Sequence, residues 1–220
     1  AVDRAMATAE AIEAEMREQL SHEDIRWSLD SAVAQIGGLS SLVAMRARYV
    51  DLVVQAQPYG PDAPPDAEAV VEAALFEGGT PALVLPRGAE LDASVGKRVL
   101  IGWNQSDEAL HAIRRAMPLL KMAEAVEIAV VDPSPHSPEG SDPGGRLCQM
   151  LTRHGVNANI AVLAKTLPTV NEVLNRRATE TGADLMVIGA YSKSRLREAI
   201  MGGVTRRMLE HATLPVLMAR

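Results

Sequence analysis

Two stretches of the chain occur twice, and that repeat limits the possible folds more than any other feature. "VDLVVQAQ" at 50–57 resembles "ADLMVIGA" at 183–190, and "LFEGGTPALVL" from Leu75 resembles "LEHATLPVLMA" from Leu209. The spacings agree: Asp51 and Asp184 lie 133 residues apart, Leu75 and Leu209 134, and Pro81 and Pro215 134. Two copies of one folding unit are therefore expected, each able to bury a modest core. The second copy opens with "GKRVLIGWN" from Gly96, an apolar run that reads as a buried strand. Shifted back by the repeat distance, that strand falls ahead of Ala1, together with the helix and strand that should follow it. The expected division is residues 1–91 as the later half of a degenerate unit and 92–220 as a complete one. The polar, turn-rich "PRGAELDASVG" at 86–96 links them. Sequence missing or disordered ahead of Ala1 is the favoured explanation, which the lack of an initiator Met suits. A first unit that borrows strands from a partner chain is the alternative.

Strand-like runs in the second copy cover 98–103, 126–131, 159–164, 184–189 and 215–219, and helical segments lie between them. Ser106 can cap "DEALHAIRRAMPLLKMAE", with Asp107 and Glu108 suiting the positive end of the helix dipole. Pro118 should kink that helix or end its regular bonding. "GRLCQMLTRHG" and "TVNEVLNRRATETG" close on Gly155 and Gly182. Alternating strands and helices imply parallel pairing with right-handed crossovers. Runs such as "DLMVIG" and "EIAVVD" are apolar nearly throughout, as expected where helices cover both faces. An open, doubly wound α/β sheet follows. In the first copy the same reading gives a helix at 1–20, a strand at 24–30, a helix at 39–49, a strand at 50–56, and a helix then a strand within 68–86.

A net charge of −6 on 220 residues with 47% apolar content fits an ordinary globular chain and leaves no global basic footprint for nucleic acid. No run of eighteen apolar residues could span a bilayer, and no secretory signal opens the sequence, so a cytoplasmic protein without membrane contact is expected. Cys148 is the lone cysteine and sits at helical spacing among apolar neighbours, where it reads as a packed small side chain.

The chemistry concentrates in "GAYSKSRLREAIMGGVT" at 189–205. It follows an apolar strand and leads into a helix, where free backbone N–H groups and the helix dipole favour an anion. Gly189, Gly202 and Gly203 allow close backbone approach to a phosphate. Ser192 and Thr205 add hydroxyls, and Lys193, Arg195 and Arg197 add charge. Ordinary turns also use glycine, and Arg197 beside Glu198 suits a solvated helical face equally well.

This segment and its surroundings resemble the universal stress protein family, whose ATP-binding members carry G-x2-G-x9-G-(S/T) between the fourth strand and the last helix. Gly189, Ser192, Gly202 and Gly203 stand at the four positions, followed in step by Val204, Thr205 and Pro215. Ser192 replaces a glycine and Gly203 a hydroxyl residue. The Asp-Gly-Ser-like turn after the first strand is here Asn104, Gln105 and Ser106, with an amide in place of a carboxylate. The resemblance implies an adenine nucleotide alpha hydrolase-like fold with strand order 3-2-1-4-5. It also implies ATP, with or without magnesium, as ligand. Asn104 would contact the ribose or base edge, Gly102 and Trp103 would lie beside the base, and Val130 would line the adenine pocket. For Trp103 a sheet-edge filler, and for Val130 an ordinary core valine, are the competing readings.

Two such units look like the tandem form of the family, implying association through the last strands, "PALVLP" and "PVLMAR", antiparallel about a pseudo-twofold axis. A homodimer and a protein partner are further expectations. The first copy has "PYGPDAPPDAEAVVE" where a cradle belongs, and its prolines and carboxylates argue against a nucleotide there. No catalytic set emerges: His22, His111, His136, His154 and His211 are scattered, and neither a Walker loop nor an SGGxDS loop occurs. The loop around His136 reads as solvated, though able to close over a ligand. The leading expectation is an ATP-responsive stress protein. A dimerising module without nucleotide and a weak ATP hydrolase are the alternatives.

Overall fold

A computed structural model describes residues 2–32, 34–60, 63–88, 95–137, 139–190 and 203–220. Local signals position the helices of the second copy. Ser106 caps α4 (Asp107–Met122), its hydroxyl accepting the Ala109 N–H, and Asp107 and Glu108 occupy the first turn. Pro118 lies inside α4 without ending it. Both Pro118 and Arg114, whose carbonyl loses its donor, are on the exposed face, where water is available to that carbonyl. α5 (Gly145–Arg153) stops just before Gly155, which has a φ of 82°. α6 (Val170–Thr181) begins with a reciprocal capping box between Thr169 and Glu172 and ends on left-handed Gly182. α7 (Gly203–His211) precedes the final strand.

Strands β3 (Arg98–Gly102), β4 (Ala125–Val131), β5 (Ala158–Leu163), β6 (Leu185–Gly189) and β7 (Val216–Ala219) lie in the order β5-β4-β3-β6-β7, all parallel. Numbered within the copy, this is 3-2-1-4-5. Alternate residues feed two cores. Val99, Ile101, Val126, Ile128, Leu185 and Val187 pack with Ile113 and Leu120 of α4 and Leu151 of α5. Leu100, Ala129, Met186, Ile188, Val216 and Met218 pack with Leu174 of α6 and Met208 and Leu209 of α7. Strands buried on both sides explain why their sequences do not alternate.

The first copy supplies α1 (Val2–Ser21), α2 (Leu39–Ala47), β1 (Val53–Ala56), α3 (Ala67–Glu72) with a π-turn at Ala73–Glu77, and β2 (Ala82–Leu85). Residues 24–30, expected as a strand, have no regular structure. Their counterpart β5 pairs only with β4. Among the described residues no strand pairs with 24–30, and a strand without a ladder partner leaves its main-chain groups unsatisfied. The expected junction near residue 92 lies outside the described residues.

β1 and β2 are parallel, and β2 joins β7 antiparallel, so both copies share one seven-stranded sheet. The register pairs Leu83 with Leu217, Ala82 with Met218 and Val84 with Val216. Leu83 and Leu217 are themselves repeat counterparts, 134 residues apart. The seam is thus self-complementary about that pair, as at a twofold interface between identical subunits. Elsewhere Asp184, at the head of β6, accepts the N–H groups of Gly96, Lys97 and Arg98 and ties in the start of β3. Arg177 of α6 grips Glu127 of β4 through two bonds of 2.7 and 2.8 Å. Those bonds hold the guanidinium protonated more firmly than an ordinary arginine, against the opposing effect of partial burial.

Candidate functional site

β3 and β6 are adjacent and parallel, yet the helices that follow them leave on opposite faces, α4 into one core and α7 into the other. This is a topological switch point, and the crevice beyond its strand ends is where doubly wound sheets receive ligands. Asn104 stands there, exposed, after β3. Its Oδ1 accepts the Ser106 N–H at 3.2 Å, and its Nδ2 makes no hydrogen bond among the described residues. Gln105 has a φ of 63° and Asp132, after β4, a φ of 48°. Two non-glycine residues in left-handed backbone on neighbouring strand ends put local strain at this rim.

The start of α4 is not an anion site. Its Ala109 N–H is already spent on Ser106, and Asp107 and Glu108 put carboxylates in its first turn. Glu108 is 8% exposed, and its Oε2 has no hydrogen-bond partner among the described residues. The other helix of the switch point is α7, which Gly203 opens and in whose first turn Thr205 is buried. The first main-chain N–H groups of a helix such as α7 have no partner within the helix itself. Ser192 and Gly202 lie outside the described residues, as do Lys193, Arg195 and Arg197.

Gly189 ends β6 against the first turn of α4. A Cβ there would lie 2.8 Å from the Ala109 Cα and the Glu108 carbonyl carbon, and closer still to the Ala109 nitrogen. Helix packing alone therefore requires glycine at this position. At Gly102 a Cβ would lie 2.9 Å from Ile188 Cγ2 and 3.2 Å from Leu174 Cδ1, so it too is filled by neighbours. Val130 is buried on the α4/α5 face, where Gly144 passes directly over it.

Trp103 is 8% exposed and belongs to the same core. Its indole N–H donates to the Glu139 carboxylate at 3.0 Å, and the same carboxylate accepts the Gly144 N–H at 2.7 Å. Glu139 thus fastens the loop before α5 onto the indole. Sequence reasoning missed this tether and read the loop as solvated. An acidic residue among Pro, Ser and Gly gives no local sign of a partner 36 positions away.

In the first copy the corresponding rim is filled by its own side chains. Gln57, counterpart of Ala190, is buried, donates to the Ala212 carbonyl at 2.8 Å and accepts the Arg87 N–H at 3.3 Å. Tyr59 is buried beside it with the Arg206 guanidinium 5.0 Å from its ring centre. Among the described residues no cluster of three His, Cys, Asp or Glu could hold a metal, and no helix is long and apolar enough to cross a membrane.

A parallel sheet covered by helices on both faces, with its switch point between β3 and β6, defines a doubly wound α/β fold. The sequence profile of the universal stress protein family matches residues 96–220, more than half of the chain. The chain belongs to that family. Universal stress protein MJ0531 of Methanocaldococcus jannaschii is 28% identical over 142 residues, covering 56% of this chain and 82% of its own. In fold, a universal stress protein from Archaeoglobus fulgidus DSM 4304 superposes with a TM-score of 0.76 at 13% identity, over 100% of this chain and 80% of that one. A protein of Pseudomonas aeruginosa UCBPP-PA14 gives a TM-score of 0.62 at 19% identity, over 96% of this chain and 77% of that one.

Proposed function

We propose that the second copy binds an adenine nucleotide, with ATP the leading candidate, and that binding changes a surface through which the protein acts in a stress response. The observation that carries this reading is the switch point itself: β3 and β6 are neighbours, Asn104 follows the first, and the helices α4 and α7 that come after them pack in opposite cores. The intact spacing of Gly189, Ser192, Gly202 and Gly203 supports it. The phosphates would be held by N–H groups of 203–205 and the Thr205 hydroxyl, and the ribose or base edge by Asn104. Because Asn104 supplies no carboxylate, a magnesium ion would take its ligands chiefly from the phosphates. The first copy is proposed to bind no nucleotide, since Gln57 and Tyr59 fill its rim.

Thermal unfolding with and without ATP tests the reading. Nucleotide at 100 times its dissociation constant should add about 2.7 kcal/mol, and Gly202→Glu, which brings bulk and negative charge to the glycine segment, should remove the gain. An unchanged melting temperature at millimolar ATP would contradict it. The burial of Trp103 and Val130 favours a second reading, an interaction module without nucleotide. That reading predicts equal melting with and without ATP for both variants.

A further inference from the structure

The first copy lacks the glycine segment of the second, and the residues that replace it reach across the seam. By the repeat, Gln57 stands where the second copy has Ala190, and Tyr59 where it has Ser192. The antiparallel pairing of β2 with β7 sets the carboxyl end of β1 beside the junction of α7 and β7. There the Gln57 Nε2 donates to the Ala212 carbonyl at 2.8 Å, and the Ala212 N–H donates to Met208 as the last bond of the helix. Gln57 is itself fixed in place. Its Oε1 accepts the Arg87 N–H at 3.3 Å, and its carbonyl accepts the Arg87 guanidinium at 3.1 and 2.7 Å. Nearer the start of α7, the Arg206 guanidinium lies 5.0 Å from the ring centre of the buried Tyr59. The first copy therefore touches α7 at both of its ends.

α7 has nine residues, with Met208 and Leu209 fully buried in the core. Apolar burial is non-directional, so it decides which face the helix turns inward and leaves its slide along its own axis weakly fixed. Directional contacts fix that slide: the Gln57 and Asn175 amides on the Ala212 and His211 carbonyls, and the Tyr59 ring under Arg206. A helix moves as a rod, so its first turn follows any shift of its far end. Hydrogen bonds to a phosphate weaken within a few tenths of an ångström of about 3.2 Å.

We propose that Gln57 and Tyr59 are positioning residues for the nucleotide site of the second copy: the first copy serves that site by setting where α7 begins. The inference rests on the nucleotide reading given above. It concerns the phosphates, since the ribose and base would be held from the end of β3. The link runs through side chains, while the Gln57 N–H belongs to the ladder with Leu85 of β2.

Calorimetric titration of the 220-residue chain, Gln57→Met and Tyr59→Leu with ATP and with adenosine tests this. Each variant should weaken ATP about tenfold, an ordinary scale for coupling between linked positions, and leave adenosine unchanged. Hydrogen exchange without ligand reads the brace by itself. The amides of 206–212 should exchange faster in both variants, while those of α4 keep the wild-type rate. ATP and adenosine weakened alike, or ATP unaffected in both variants, overturns the proposal. So does wild-type exchange across α7 in the variants, whether or not the wild-type chain binds ATP. A wild-type chain that binds neither ligand, with α7 exchange still raised in the variants, overturns the nucleotide reading and the positioning role with it.

Discussion

Gly189→Ala should cost about 3 kcal/mol of folding stability, the upper part of the range for an overpacked interior. The added methyl meets backbone, the Ala109 nitrogen and Cα and the Glu108 carbonyl carbon, so no side-chain rotation can relieve it. Either α4 lifts from the end of β6 or the strand end retreats, and both disturb the core containing Ile113 and Leu120. Gly182→Ala is the matched control. That residue has a φ of 63° with open space around it, so the cost there is the left-handed backbone alone, roughly 1 kcal/mol. Equilibrium urea unfolding of both variants gives the comparison. Equal losses would show that the approach of α4 to β6 is not the constraint described here. Loss of nucleotide binding in Gly189→Ala is therefore not diagnostic of a phosphate contact, and Gly202 is the better position for that question.

Trp103→Ala should destabilise by about 3–5 kcal/mol, the usual cost of truncating a buried aromatic residue. It empties space between β3 and the loop before α5 and leaves the Glu139 carboxylate with the Gly144 N–H alone. Trp103→Phe separates the two contributions, keeping most of the packing while losing the indole N–H. Its cost should be near 1–2 kcal/mol, the scale of a charge-assisted hydrogen bond. Urea unfolding measures both. A Trp103→Ala loss under 1 kcal/mol would mean that the indole is not a core element, and the site at β3 would have to be redrawn with that ring free to stack.

Helix boundaries were legible because they rest on near neighbours: Ser106 reaches Ala109, Thr169 and Glu172 reach each other, and Gly155 and Gly182 supply their own backbone conformation. The five strands of the second copy were legible because burial on both faces makes them apolar throughout. The residues at 24–30 carry strand-like composition, yet composition cannot supply the neighbour that a ladder needs. Nor could local pattern show that Gly189 is glycine for the sake of α4, 80 positions earlier at Ala109, or that Glu139 reaches back to Trp103. Both follow from the sheet bringing distant strand ends to one rim. For the same reason nothing local showed that Glu108, expected to suit the helix dipole, is buried next to Gly189.

Hydrogen exchange of the main-chain amides, with and without saturating ATP, tests the central claim most directly. A nucleotide held at the switch point should slow exchange at Gly203, Val204 and Thr205 and in the 104–106 turn, while 54–60 of the first copy stays unchanged. Unaltered exchange at 203–205, or protection confined to the first copy, would contradict it.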